Sequence, residues 1–388
     1  MNDSASTAPP IRWRIITGEY PPARGGVGDY TRIVANGLAA AGDEVEVWTP
    51  EHGGAAPDDA GVKVRRIHGH FGPRALARMG RELRAADGAR ILVQYAPHAL
   101  GMKAMNLPFC FWLRRRAARG AKLDVMFHEV YFPFRPGQPQ RYRALAAVTS
   151  AMARMAAGAA RRVFVATPAW EPHLKPWMRP DAEIIWTPVP SNIPVCGRRD
   201  KIADARRRYA KSEGFIAGHF GTCGGEIGRA LDRAVPFLLS SRAGLSALMI
   251  GGDGAKWRAA FAAKYPEFAE RVVATNVLDA VEASCAISAC DLILQPYPDG
   301  ATARRGSLIA ALAHGRAIVT TAGALTEPLW NESRAVELTP AADIDALGAA
   351  AGALLDDIAR RERMGQAAIS LYRDRFDSRR TIAALRAF

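Results

Sequence analysis

"RWRIITGEYPPARGGVGDYTRIVANGLAAAGDEVEVWTP" (residues 12–50) holds a strand, a turn, a helix and a second strand in direct succession. "RWRIITG" and "DEVEVWTP" are short runs rich in β-branched and aromatic residues, and "GDYTRIVANGLAAAG" between them carries the apolar spacing of a helix. Strand, crossover helix and strand form the unit of a parallel sheet covered by helices, an α/β architecture. The turn "EYPPARGGVGDY" (19–30) has glycines at Gly25, Gly26 and Gly28, which let backbone amides approach a ligand ahead of the helix N-terminus. Its spacing is not the dinucleotide fingerprint GxGxxG, and a plain tight strand-to-helix turn explains it as well.

Outward from this stretch the alternation continues. Strands are expected at 89–96, 123–130, 161–167 and 182–188, then at 214–221, 245–252, 271–277, 291–297 and 316–321, with helices near 226–241 and 254–264. A chain of 388 residues exceeds one core of ~150 residues, and the proline-rich "TPVPSNIPVCGRRD" breaks the pattern near 188–194. Two domains are expected, 1–190 and 191–371.

A net charge of +14 points to anionic partners: nucleic acid, an acidic membrane surface or phosphorylated small molecules. The surplus arginine is spread along helices with no nucleic-acid-binding motif, so nucleic acid is not an expected partner. Five scattered cysteines have neither disulfide nor zinc spacing. The polar start "MNDSASTAPP" is unlike a signal peptide, and no apolar run reaches ~18 residues, so a cytoplasmic protein, at most peripheral on a membrane, is expected.

Three places could carry chemistry. "PDGATARRGSLIAALAHG" (298–315) sets Arg304 and Arg305 one step before a helix opening at Gly306 or Ser307, whose free amides, including that of Leu308, and dipole suit phosphate oxygens. His128 and Glu129 close a strand and His98 follows another, where ligands gather in parallel sheets. "NLPFCFWLRRRAARGAK" (106–122) joins an apolar head to a cationic tail, as interfacial helices do, although core packing also explains its aromatics.

"YPPARGGVGDYTRIVANGLAAAGDEVEVWTP", "LMIGGDG" (248–254), "AISACDLILQPYPDG" (286–300) and "AALAHGRAIVTT" (310–321) together resemble retaining GT-B glycosyltransferases of family four. The resemblance implies two Rossmann-like domains facing a cleft, the first for an acceptor and the second for a nucleotide-diphosphate sugar, with residues 372–388 crossing back to the first. It implies hexosyl transfer with retention, without a metal or other cofactor, to a hydroxyl of a saccharide, lipid-linked or natural-product acceptor.

It carries a cleft histidine onto His128. Glu129 and Asp299 are further catalytic candidates, which keep acid–base chemistry open, and Tyr20, Tyr95 and His98 are expected acceptor contacts. Donor contacts fall on Gly25, Gly26, Gly221, Thr222, Asn276, Val277, Arg304, Arg305, Gly306, Ser307 and Leu308. The family's two glutamates of the donor site correspond to Thr302 and Ala310, and its arginine–lysine pair is missing from "GTCGGEIGR" (221–229). Arg304 and Arg305 are expected to compensate. A catalytically silent sugar-nucleotide sensor, an inverting transferase and an epimerase stay open as alternatives.

Overall fold

The structure is a computed structural model that describes residues 9–387 except 24, 55–58, 84–87, 135–136 and 212–213; the first eight residues of the polar N-terminal stretch thus fall outside the described residues. The chain divides into two compact units, one formed by residues up to Pro188 together with Ser378 onward, the other by Val189–Asp377.

The first unit is built on seven parallel strands: β1 (Arg12–Thr17), β2 (Glu44–Pro50), β3 (Val62–Ile67), β4 (Arg90–Tyr95), β5 (Lys122–Phe127), β6 (Arg162–Val165) and β7 (Glu183–Trp186). Their order is β3-β2-β1-β4-β5-β6-β7, with Ile15 in register with Val47 on one side and Leu92 on the other. The chain travels outward from β1 in one direction and from β4 in the other, so the strand order reverses between them. At such a switch point the flanking loops part and leave a crevice at the carboxyl ends of the strands. Helices cover the sheet, and Ile16, Trp48, Phe71, Val93, Phe109 and Phe127 are among the residues of its main core cluster.

The helix Ser378–Arg386 returns to this unit. Ile382 occupies the space over Gly37, where an added Cβ would come 2.7 Å from its Cδ1. Arg162 donates to the carbonyls of Leu385 (3.1 Å) and Ala387 (2.6 Å), while Arg386 pairs with Asp43 at 3.2 Å. The returning segment begins at Ser378, not at 372. Tyr372–Phe376 stays in the second unit, where Phe376 stacks on Trp330 with ring centroids 5.7 Å apart.

The second unit repeats the plan with β8 (Ile216–Phe220), β9 (Ser246–Ile250), β10 (Val272–Ala274), β11 (Leu292–Gln295), β12 (Ala317–Ala322) and β13 (Glu337–Pro340), ordered β10-β9-β8-β11-β12-β13. Its switch point lies between β8 and β11. Cys196 of the connecting segment donates its amide to Ser284 Oγ (2.8 Å), which in turn meets His314 Nε2 at 2.7 Å. Two strands were not expected from sequence, β3 and β13, and both are edge strands. Among the described residues no helix is long and apolar enough to cross a membrane.

Candidate functional site

In the first unit the β1–β4 switch point gathers charge. Gly18 packs directly on the loop that follows β4, since a Cβ there would sit 1.8 Å from Ala99 O. This close approach brings Glu19 to His98, with Nε2 3.5 Å from Glu19 Oε1 and Nδ1 3.2 Å from Glu129 Oε2. Glu19 follows β1, His98 follows β4 and Glu129 follows β5, so one imidazole ties three loops together. The hydrogen bonds that the ring donates to Glu129 and then to Glu19 push His98 up to about 10, which keeps it an imidazolium at neutral pH.

Gly25 has a reason besides ligand approach. A Cβ on it would lie 1.9 Å from Glu19 Oε2, so the carboxylate rests against the glycine. Gly26 opens the helix Gly26–Ala40, and nothing lies within 4 Å of where its Cβ would be, which leaves that helix end open to a ligand.

His128 differs from its neighbours. Its ring meets Gln94 Oε1 at 2.7 Å through Nε2 and packs edge-on to Tyr30 at 4.7 Å. Burial lowers it to about 3, so it is neutral. With the proton on Nε2 donated to Gln94, Nδ1 is left as a hydrogen-bond acceptor.

Tyr20 and Tyr95 do not form an acceptor surface. Both are fully buried: Tyr20 donates its hydroxyl to Asp59 at 2.7 Å, which Arg32 also holds, and Tyr95 packs on Phe127 in the core. Their side chains could reach an acceptor only by opening the core. Of the three expected acceptor contacts, only His98 faces solvent.

In the second unit the β8–β11 switch point is where donor residues were expected. Gly221 leaves β8 with φ +132°, a region that favours glycine, and a Cβ there would reach 3.4 Å from Ser307. Gly251 (φ +151°) fits under it, as a Cβ would come 2.4 Å from Gly221 O. Asp253 closes the loop by accepting the amide of Cys223 at 3.0 Å, and His219 sits beneath it with Nε2 3.1 Å from Thr222 O.

Across this loop the helix Gly306–Ala313 begins, with Arg305 at its cap position and no side chain capping it. The amide of Ile309 bonds back to Arg305 O, so the amides of Gly306 and Ser307 lack an intrahelical acceptor. Leu308 is fully buried, and only its backbone could take part.

Asp299 holds both arginines. Arg304 pairs with its Oδ2 at 2.7 Å and Arg305 with its Oδ1, while Arg305 also stacks over the Tyr297 ring at 4.7 Å. Tyr297 in turn meets Ser307 Oγ at 2.8 Å. Two cations against one carboxylate leave a positive excess at a helix N-terminus, an arrangement suited to a phosphate group. The carboxylate of Asp299, expected as catalytic, is engaged by guanidinium groups, so its observed work is to position them.

Thr302 and Ala310 are completely buried. The loop that carries Thr302 is held from below by Glu327, which accepts the Ala303 amide (3.1 Å) and the Trp330 indole (2.6 Å). Asn276 and Val277 follow the edge strand β10; Thr275 just before them accepts the Gly251 amide at 3.2 Å and Val277, 57% exposed, lies over Gly252, so they border the glycine loop that packs under Gly221. Among the described residues no group of three or more His, Cys, Asp or Glu side chains could hold a metal ion.

Sequence reasoning missed Glu19, Tyr297, Asp253 and Glu327. Only the Glu19 and Tyr297 positions, directly after strands, gave any signal.

Residues 24–191 match Glycosyltransferase Family 4. No curated protein matches the sequence. Over nearly the full length the fold is that of sucrose-phosphate synthase from Thermosynechococcus elongatus, with TM-score 0.70, 18% identity, and 97% of this chain and 98% of that one covered. It is also similar to WaaG, a glycosyltransferase involved in lipopolysaccharide biosynthesis (TM-score 0.69, 15% identity, 96% and 99% covered). Anabaena HepE in complex with UDP and glucose gives TM-score 0.69 at 14% identity, with 97% and 99% covered.

Proposed function

We propose that the chain is a retaining, metal-independent glycosyltransferase that moves a hexosyl unit from a nucleotide-diphosphate sugar to an acceptor hydroxyl. The observation that carries this reading is the Asp299–Arg304–Arg305 cluster at the mouth of the Gly306–Ala313 helix. HepE, a protein of the same fold, binds UDP and glucose.

In the transfer the bond from the anomeric carbon to the diphosphate breaks and one from that carbon to the acceptor oxygen forms. The acceptor proton leaves with a diphosphate oxygen. Negative charge therefore develops on the departing diphosphate, and the amides of Gly306 and Ser307 with the two guanidinium groups are placed to stabilise it. Preformed charge of this kind does the work that a divalent cation would otherwise do. Neutral His128, through Nδ1, accepts a hydrogen bond from a sugar hydroxyl. Glu19, His98 and Glu129 hold the acceptor loops.

Thermal-shift titration with a panel of nucleotides and nucleotide sugars tests the donor site, because a ligand bound to the folded state raises its melting temperature. A nucleoside diphosphate is expected to stabilise the protein, and Arg305→Ala to weaken it about 10- to 100-fold, the worth of one charged hydrogen bond. Unchanged affinity and turnover in Arg305→Ala overturn the assignment. Proton NMR of the product, read for the anomeric configuration, tests retention.

A further inference from the structure

We propose that the first unit docks on an anionic lipid surface through the segment Gly101–Arg119, and that the acceptor is presented there. Of the eleven large apolar side chains that are exposed among the described residues, four lie within ten positions: Met102, Met105, Leu107 and Phe111. Phe111 is 56% exposed and Met102 45%. Leu107 and Phe111 are one turn apart on the same face of the helix Leu107–Ala118, whose opposite face, Phe109, Cys110 and Leu113, is in the core.

The same exposed face becomes cationic further along. Arg114 and Arg115 follow Phe111 by three and four residues, Arg119 ends the helix, and Lys103 flanks the apolar turn. None of these four has an ion-pair partner among the described residues. From Gly88 to Leu123 the sequence contains no acidic residue. An apolar cap followed after roughly 10 Å of helix by unpaired cations matches the boundary between acyl chains and anionic head groups. A protein partner would need to bring its own acidic rim; a leaflet of anionic lipid presents one everywhere.

The patch is held rigid. Asn106 caps the helix by accepting the Phe109 amide (3.1 Å) and donates to Leu100 O (2.7 Å), while Met102, Lys103 and Ala104 all adopt positive φ. This turn follows directly on the loop of His98, so a docked surface would lie beside the candidate acceptor side. That second part rests on the acceptor role proposed above for the first unit; the docking itself does not.

Co-sedimentation of the full chain with vesicles of equimolar phosphatidylcholine and phosphatidylglycerol, at low and high salt, is the test. Binding is expected to the anionic vesicles at low salt, to weaken at high salt, and to be absent with phosphatidylcholine alone. Phe111→Ser, and separately Arg114→Gln with Arg115→Gln, should each weaken it at least tenfold, with melting temperature and nucleotide-induced shift unchanged. Light scattering after size exclusion checks for a second copy on the same face. The proposal fails if anionic vesicles do not bind at low salt, if neither variant weakens binding, or if the patch proves to be a dimer contact that Phe111→Ser abolishes. Nucleotide binding measured on the same samples keeps this failure separate from that of the transferase reading.

Discussion

Glu129→Gln should change the titration of a residue thirty-one positions away in sequence. His98 stands between Glu129 at 3.2 Å and Glu19 at 3.5 Å, and the two carboxylates raise it from 6.5 to about 10. At pH 8 a histidine of ordinary pKa is ~3% protonated, whereas one near 10 is ~99% protonated. Ring-proton NMR resolves the difference, and His98→Asn identifies the signal by its loss.

Removing the Glu129 charge takes away the largest contribution and leaves Glu19, so the midpoint should fall by about one to two pH units. His128 faces the same charges and is the internal control: buried and lowered to about 3, it should stay neutral down to pH 4. The sign for stability follows from a raised folded pKa. The contribution is complete below about pH 6.5 and disappears as pH rises through about 10; with His98 and Glu129 each over a third exposed, it amounts to about 1 kcal/mol at most. A His98 signal that titrates near 6.5 in the unaltered protein, or that ignores Glu129→Gln, refutes the bridging geometry.

Arg162→Met should strand the buried Asp124, to which Arg162 Nη2 is 2.5 Å away, and cost about 3–5 kcal/mol locally; hydrogen exchange in 378–386 should rise, and unchanged protection would count against Arg162 holding the returning helix. Gly221→Ala places a Cβ at φ +132° and should cost about 1–2 kcal/mol, lowering the melting temperature and weakening nucleotide binding. An unaltered melting curve would show that the loop relaxes freely.

What was legible in the sequence was what burial writes into it. The central strands read as continuous apolar runs because both faces are covered, as in "RILVQY" and "LILQ". β3, "VKVRRI", escaped because it lies at the sheet edge and only Ile67 is buried, so charges interrupt its pattern. β13, "ELTP", is short and also at an edge.

The doubled arginine is visible as cation next to a helix start, but its partner Asp299 reads as a separate catalytic group, since sequence does not reveal which charges meet. Glu19 was hidden for the same reason: its partner lies in a loop after another strand. Tyr20 and Tyr95 misled in the opposite sense. A tyrosine at a strand end looks ligand-facing until the side chain is seen to turn into the core, where Asp59 receives one of the two hydroxyls.

The returning helix sets the order of assembly during synthesis. The second unit is continuous in sequence and can close as soon as Asp377 has emerged. The first unit cannot, because the groove over Gly37 and the bonding groups of Arg162 wait for Ile382 and Leu385. At 5–20 residues per second the stretch between Pro188 and Ser378 imposes a delay of roughly 10–40 s, during which the Gly26–Ala40 helix keeps an apolar seam uncovered. The half of the protein made first is thus the half finished last, and any chaperone contact during synthesis should concentrate on that seam.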